Sequence, residues 1–357
     1  MSGSRVAEPS LPSVTPSGTG ERTASRAWNK RPSIGRRCAA SASLAFYIAI
    51  GLIAGSNAGT PRAPAELAPR ASGLSPLPRE SVVRLSLRAD SSQEYLVYVP
   101  RKGSQGAPVF VTVHGISRNV HEHASLFARY ARAYGVVLVA PYFTSERNHG
   151  YQRLGWEKGD RRADLVLDAI LSEVGARTGA SVQKFYLFGF SGGAQFAHRY
   201  TLAHPDRVAG AVIGAAGWYT FPDTTTPYPY GLASTPGLAG VPFHPEKFLR
   251  VPITVLVGQA DTLDEHLRRN TDVDRQQGST RRERAFNWCA AMKRAAEARG
   301  LESLVTCEQV PGIEHSFLQF MQEGELGTKV FGALFEPARH DGTRPNEHAP
   351  NERRGTQ

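Results

Sequence analysis

The chain has 357 residues, 41% of them hydrophobic and 21% charged, with a formal net charge of +10. This composition excludes a collagen, a coiled coil and a wholly disordered chain. The charge invites a nucleic-acid reading, but residues 1–58 carry +5 of it and the tail from Pro337 carries +1, which leaves +4 for residues 59–336 without any block of like charge; no nucleic-acid partner is expected.

Residues 1–58 read as an export signal or an N-terminal membrane anchor. A polar stretch rich in Ser, Pro and Arg ends at Arg36-Arg37, an apolar core follows at Leu44–Ala54, and Ser56-Asn57-Ala58 places small residues where a signal would be cut. The core is short for a bilayer span of about 20 residues, so a cleaved signal leads and an anchor over residues 39–54 comes second. Both readings export the remainder, to the periplasm or beyond. Cys38 falls in this segment, and a Pro-rich linker follows at 59–79.

From residue 80 the pattern becomes regular, and a catalytic domain is expected over 80–337, followed by a disordered tail at 338–357. Ser81–Leu87 and Tyr95–Val99 predict two antiparallel strands around the turn residues Ala89-Asp90-Ser91-Ser92. Short apolar runs then recur at Val109–Val113, Val136–Ala140, Phe185–Phe188, Ala209–Ile213, Ile253–Val257 and Leu304–Val310, as strands buried on both faces require. Helical spacing separates them, for example in Leu165, Ala169, Ile170 and Val174. The expected fold is α/β, a mostly parallel, doubly wound sheet with an antiparallel N-terminal pair and no large cap domain.

The segment Phe185–Ala197 contains Gly189-Phe190-Ser191-Gly192-Gly193, a Gly-x-Ser-x-Gly between a strand and a helix. Chance alone supplies about a quarter of such a match in this composition, so the context carries the weight. A nucleophilic serine on a sharp strand-to-helix turn needs neighbours without side chains, which Gly189 and Gly193 supply. Ser191 is therefore the candidate nucleophile. Its hydroxyl needs a base, and His315 follows the last strand in Pro311-Gly312-Ile313-Glu314-His315. The orienting carboxylate is expected at Asp261, just past the strand Ile253–Val257, with Asp264 in reserve. The oxyanion needs two amides, assigned to Gly192 and, from the turn His114-Gly115-Ile116-Ser117, to Ile116. His114 is read as a packed loop former.

These motifs, in this order, resemble the α/β-hydrolase superfamily over roughly residues 80–337. The strand pair and Val97-Tyr98-Val99-Pro100 before the oxyanion turn are similar to polyhydroxybutyrate-depolymerase-like and feruloyl-esterase-like serine esterases. The resemblance implies an esterase acting on a small-molecule or polymeric ester. A serine peptidase, an acyltransferase and a non-catalytic binding protein on the same fold are the rival readings.

Several further features carry expectations of their own. His121-Glu122-His123 has a spacing that suits a metal on a strand, but it leads into the helical Ala124–Ala133 without further ligands nearby, so no metal and no cofactor is expected. The aromatic, Pro-rich stretch between Gly217 and Arg250 leaves a strand end beside the expected site, and Trp218, Tyr219 and Phe221 are candidates to line a substrate pocket. Tyr142–Trp156 is a second segment at the same end. Cys289 in a helical stretch and Cys307 in a strand are expected to form a disulfide in an oxidising compartment.

Overall fold

The computed structural model describes residues 76–155, 160–238, 241–263 and 267–336. The expected export segment, most of the linker, the tail, Trp156 and Asp264 lie outside the described residues. Eight strands form one sheet: β1 (Val82–Leu87), β2 (Asp90–Tyr98), β3 (Pro108–Val113), β4 (Val137–Pro141), β5 (Ser181–Phe190), β6 (Val208–Gly214), β7 (Ile253–Gly258) and β8 (Val305–Val310). Their order is β1-β2-β4-β3-β5-β6-β7-β8. β1, β2 and β4 pair antiparallel and every other neighbour is parallel.

Among the described residues eight α-helices accompany the strands: α1 (Val120–Tyr134), α2 (Ala163–Thr178), α3 (Gly192–Ala203), α4 (Pro245–Phe248), α5 (Thr271–Gln277), α6 (Arg281–Glu297), α7 (Phe317–Gln322) and α8 (Leu326–Phe335). Side chains alternate across a strand, so each central strand feeds two cores. Val109, Val111 and Val113 of β3 share one core with residues of α2, α3 and α6, whereas Phe110 belongs to the other with residues of α1, α7 and α8. This two-faced demand is why the central strands read as unbroken apolar runs. α1 meets the sheet through Val120, Ala124, Phe127 and Ala131, one helical stripe, and ends at Gly135 in the left-handed conformation (φ 68°). The Phe127 ring meets Phe110 edge-on at 5.2 Å. Burying one such phenylalanine contributes about 1.5–3 kcal/mol.

Among the described residues no helix is long and apolar enough to cross a membrane. Cys289 on α6 and Cys307 on β8 are neighbours as expected, but both are free thiols. The Cys289 thiol is directed to the Thr306 carbonyl, 4.0 Å away, and the expected bond is not formed. His121 and His123 diverge on α1: His121 is exposed, while His123 is buried against Thr112 Oγ1 (2.9 Å from Nδ1) and stacks on Phe317 at 3.8 Å.

Candidate active site

The carboxyl ends of β3, β5, β7 and β8 converge, and the loops leaving them carry His114 to Ile116, Ser191, Asp261 and His315. Loops at the carboxyl ends of parallel strands are where such a sheet places ligands and reacting groups. Ser191 joins β5 to α3 with φ 53° and ψ −111°, a backbone state that costs a non-glycine residue of order 1–3 kcal/mol. The sharp turn leaves no room for side chains beside it. A Cβ on Gly189 would lie 2.1 Å from the Gly193 carbonyl oxygen, and one on Gly193 would lie 2.1 Å from that of Val113. All twelve residues of α3 are buried, so the helix cannot slide to relieve the turn.

The structure brings three expected residues into one hydrogen-bonded chain. His315 Nε2 lies 2.9 Å from Ser191 Oγ, and His315 Nδ1 lies 2.8 Å from Asp261 Oδ2. A carboxylate only accepts hydrogen bonds, so Nδ1 carries the proton and Nε2 is left to accept from the serine hydroxyl. The Asp261 side chain is fully buried and that of His315 is 23% exposed. One neighbour was not foreseen: Arg281, at the first position of α6, donates from Nη1 to Asp261 Oδ1 at 3.1 Å. A capping box between Thr280 and Glu283 sets the start of that helix and so places Arg281. In the sequence Arg281-Arg282-Glu283-Arg284 looks like a solvated helix start, and no local signal separates Arg281 from its neighbours.

The residues of the two expected amides lie beside the elbow: Gly192 follows Ser191, and a Cβ on Gly115, the neighbour of Ile116, would lie 3.4 Å from Ser191 Cβ. Gly192 opens α3, where helix geometry gives its N–H no intrahelical acceptor. Ile116 lies inside the turn closed by Arg118 N–H on the Gly115 carbonyl (3.0 Å), and its side chain is within 2.9 Å of a Cβ built on Gly192. His114 holds this turn as a loop former. Its Nδ1 bonds the Gly115 carbonyl at 2.8 Å and its Nε2 accepts from Phe143 N–H at 3.1 Å. Burial keeps it neutral, down to a pKa of about 4. Tyr151 also donates to the His114 carbonyl, at 2.9 Å.

Two clefts meet at Ser191. One, of about 530 Å³, includes Ile116, Gln152, Gln195, Trp218, Arg118 and Arg268 in its lining. The other, of about 450 Å³, is bounded by His315, Ile116, Phe190, Phe317 and Leu318. Of the three aromatics expected to line a pocket, only Trp218 does so. Tyr219 and Phe221 belong to the core, Tyr219 stacking on Trp288 at 5.0 Å, because the chain turns inward after Trp218. Thr220 anchors that turn: its N–H donates to His198 Nε2 (3.0 Å), its hydroxyl accepts from Arg199 Nε (2.9 Å) and its carbonyl accepts from Trp288 Nε1 (2.8 Å).

The domain is similar to the solved structure of poly(aspartic acid) hydrolase-1 from Sphingomonas sp. KT-1, with a TM-score of 0.58 and 25% identity over 67% of this chain and 93% of that one. It is also similar to the poly(3-hydroxybutyrate) depolymerase of Bordetella parapertussis, with a TM-score of 0.57 and 24% identity over 70% and 94% of the two chains. The fold is that of the α/β hydrolases. No protein-family model matches the sequence, and no curated protein matches it. In this α/β-hydrolase fold the arrangement offers a hydroxyl with a base behind it and a carboxylate that fixes the base, with the oxyanion turn close to Gly192. That is the equipment for acyl transfer through a covalent intermediate.

Proposed function

We propose that this chain is an exported serine hydrolase that cleaves carboxylic esters through an acyl-enzyme. The observation that carries the reading is the hydrogen-bonded chain from Ser191 Oγ through His315 to Asp261 Oδ2, at 2.9 and 2.8 Å. Ser191 Oγ attacks the ester carbonyl while His315 Nε2 takes its proton. The negative oxygen is received by the amides of Gly192 and Ile116. His315 then passes the proton to the leaving alcohol as the carbon–oxygen bond breaks. Water, deprotonated by the same nitrogen, attacks the acyl-enzyme and frees Ser191. Asp261 fixes the tautomer and stabilises the imidazolium that forms in both steps.

The test is hydrolysis of nitrophenyl butyrate by the wild type and by Ser191→Ala. Turnover by the wild type with a loss of at least about 10³-fold in the variant supports the reading. Equal turnover by both contradicts it. A second reading, cleavage of an amide, draws support from the likeness to poly(aspartic acid) hydrolase-1; the same residues would serve, with His315 protonating an amine. Export rests on Arg36-Arg37, Leu44–Ala54 and Ser56–Ala58. A mature N-terminus just after Ala58 in protein recovered outside the cytoplasm is its expected signature.

A further inference from the structure

The larger cleft beside Ser191 is lined by arginines. Among its described lining residues there is no carboxylate, while four arginines face it: Arg281, whose charge is paired with Asp261, and Arg118, Arg153 and Arg268. The guanidinium groups of Arg118 and Arg268 rest on neutral groups, and the Arg118 charge is also felt by the exposed Glu146. The Arg118 guanidinium donates to the Phe143 carbonyl and lies over the Tyr151 ring at 5.4 Å. That of Arg268 lies over Trp218 at 5.5 Å and Tyr230 at 5.8 Å. Aromatic faces and carbonyls orient a guanidinium and leave its full charge in place.

A further cation stands behind the cleft wall. Arg199 is fully buried, 4.1 Å from the Trp218 ring that lines the cleft. Its guanidinium donates to neutral oxygens: Thr220 Oγ1, the Gln152 carbonyl, and the carbonyl and side-chain oxygen of Gln195. Its Nη2 has no partner among the described residues. Burial chiefly, with smaller contributions from the charges of Arg153 and Arg268, holds its pKa down, at about 10. Charge of one sign focused in a cleft with apolar walls favours a ligand of the other sign. Arg118 also adopts φ 58° in the oxyanion turn, a conformation uncommon for a side-chain-bearing residue, so the turn presents this arginine at a local cost.

The two clefts differ in a way that assigns the ends of the substrate. The leaving alcohol must come within reach of His315 Nε2, and His315 lines the smaller cleft, whose walls include Phe190, Phe317 and Leu318. The acyl chain therefore extends into the arginine-lined cleft, whose volume of about 530 Å³ suits a unit of several carbons. We infer that, given Ser191 as the acyl-accepting nucleophile, the hydrolase takes acyl groups that carry a free carboxylate, as in monoesters of dicarboxylic acids, with the acid end held by Arg118 and Arg268.

The test compares release of benzyl alcohol from the benzyl half-ester of adipic acid and from its neutral counterpart, benzyl methyl adipate. A third arm, the hexanoyl ester of 4-(hydroxymethyl)benzoate, moves the charge to the leaving alcohol. The half-ester is expected to show at least about tenfold higher kcat/KM than the diester, with the advantage shrinking as salt is added. Arg268→Gln and Arg118→Gln are each expected to lower the half-ester to diester ratio by about tenfold. A diester hydrolysed as fast as the half-ester, or a preference for the anionic alcohol, overturns the inference. Labelling of Ser191 by a fluorophosphonate separates the two levels. A labelled Ser191 with no preference for the half-ester overturns the charge assignment alone, whereas an unlabelled Ser191 with no ester cleaved removes the serine-hydrolase reading beneath it.

Discussion

Arg281 donates to the one oxygen of Asp261 that His315 leaves unused, Nη1 lying 3.1 Å from Oδ1 while His315 Nδ1 lies 2.8 Å from Oδ2. The side chains of Arg281 and Asp261 are 2% and 0% exposed. The carboxylate is thus held at both ends and cannot rotate away from the imidazole. Removing one partner of a buried pair typically costs about 3–5 kcal/mol, because the other charge is stranded. Arg281→Met is expected to lower kcat by more than about tenfold even at temperatures well below its own unfolding, since His315 loses a fixed partner. A lowered Tm with an unchanged kcat would instead assign Arg281 to stability alone.

The elbow supplies a stability prediction. A Cβ at position 193 meets the backbone of Val113 and His114, at 2.1 and 2.6 Å, and a backbone cannot swing aside as a side chain can. Gly193→Ala is expected to cost at least about 3 kcal/mol, at the upper end of overpacking penalties, and to distort Ser191. Urea unfolding measures it; a midpoint equal to the wild type would mean that the strand and helix do not approach this closely.

Three buried histidines predict a decline in stability on mild acidification. Burial lowers His114 to about 4 and holds His123 and His198 well below 6.5. In the unfolded chain each takes up a proton below about pH 6.5, while the folded protein takes up none from them until lower pH. Unfolding therefore absorbs protons in this window, and the stability these groups confer is complete above pH 6.5 and lost as pH falls toward 4. The slope is about 1.4 kcal/mol per pH unit for each histidine, and His114 alone amounts to roughly 3 kcal/mol. A urea midpoint that stays constant between pH 7 and 4.5 would contradict neutral burial.

Asp164 extends the decline to lower pH. Burial alone would raise its pKa, but hydrogen bonds from His204 (2.9 Å) and Arg162 (2.6 and 2.8 Å) overcome that and hold it at about 2. A depressed carboxyl stabilises the fold above its unfolded value near 4 and loses that contribution as pH falls toward 2. The contribution is roughly 2 kcal/mol. Asp164→Asn should be less stable at neutral pH and should lack this portion of the acid transition; a variant with the wild-type profile would locate the titration elsewhere.

The parts legible in the sequence are those encoded locally. Central strands that feed two cores must be apolar throughout, and Ser191 needs glycines within two residues of it. Strand ends were harder to read: β5 begins at Ser181 and not Phe185, and β2 at Asp90 and not Tyr95, because their first residues pair in the sheet while standing largely in solvent. Residues joined across the fold left no pattern. Arg281 reaches Asp261 from 20 positions away, and Arg118, Arg153 and Arg268 come from separate parts of the chain to line one cleft, with Arg199 behind its Trp218 wall. Tyr219 and Phe221 illustrate the reverse, since an aromatic cluster looks the same in sequence whether it faces a ligand or a core.

Turnover through an acyl-enzyme requires that Ser191, activated by His315, be acylated. The most direct measurement is treatment of the intact, folded protein with a fluorophosphonate, followed by mass analysis of the peptides, alongside His315→Ala. One modification, on Ser191, is expected in the wild type, with labelling slowed by at least about 10³-fold in the variant, in which the hydroxyl has lost its base. A folded wild type that remains unmodified at Ser191, or a variant labelled as fast as the wild type, would contradict this mechanism.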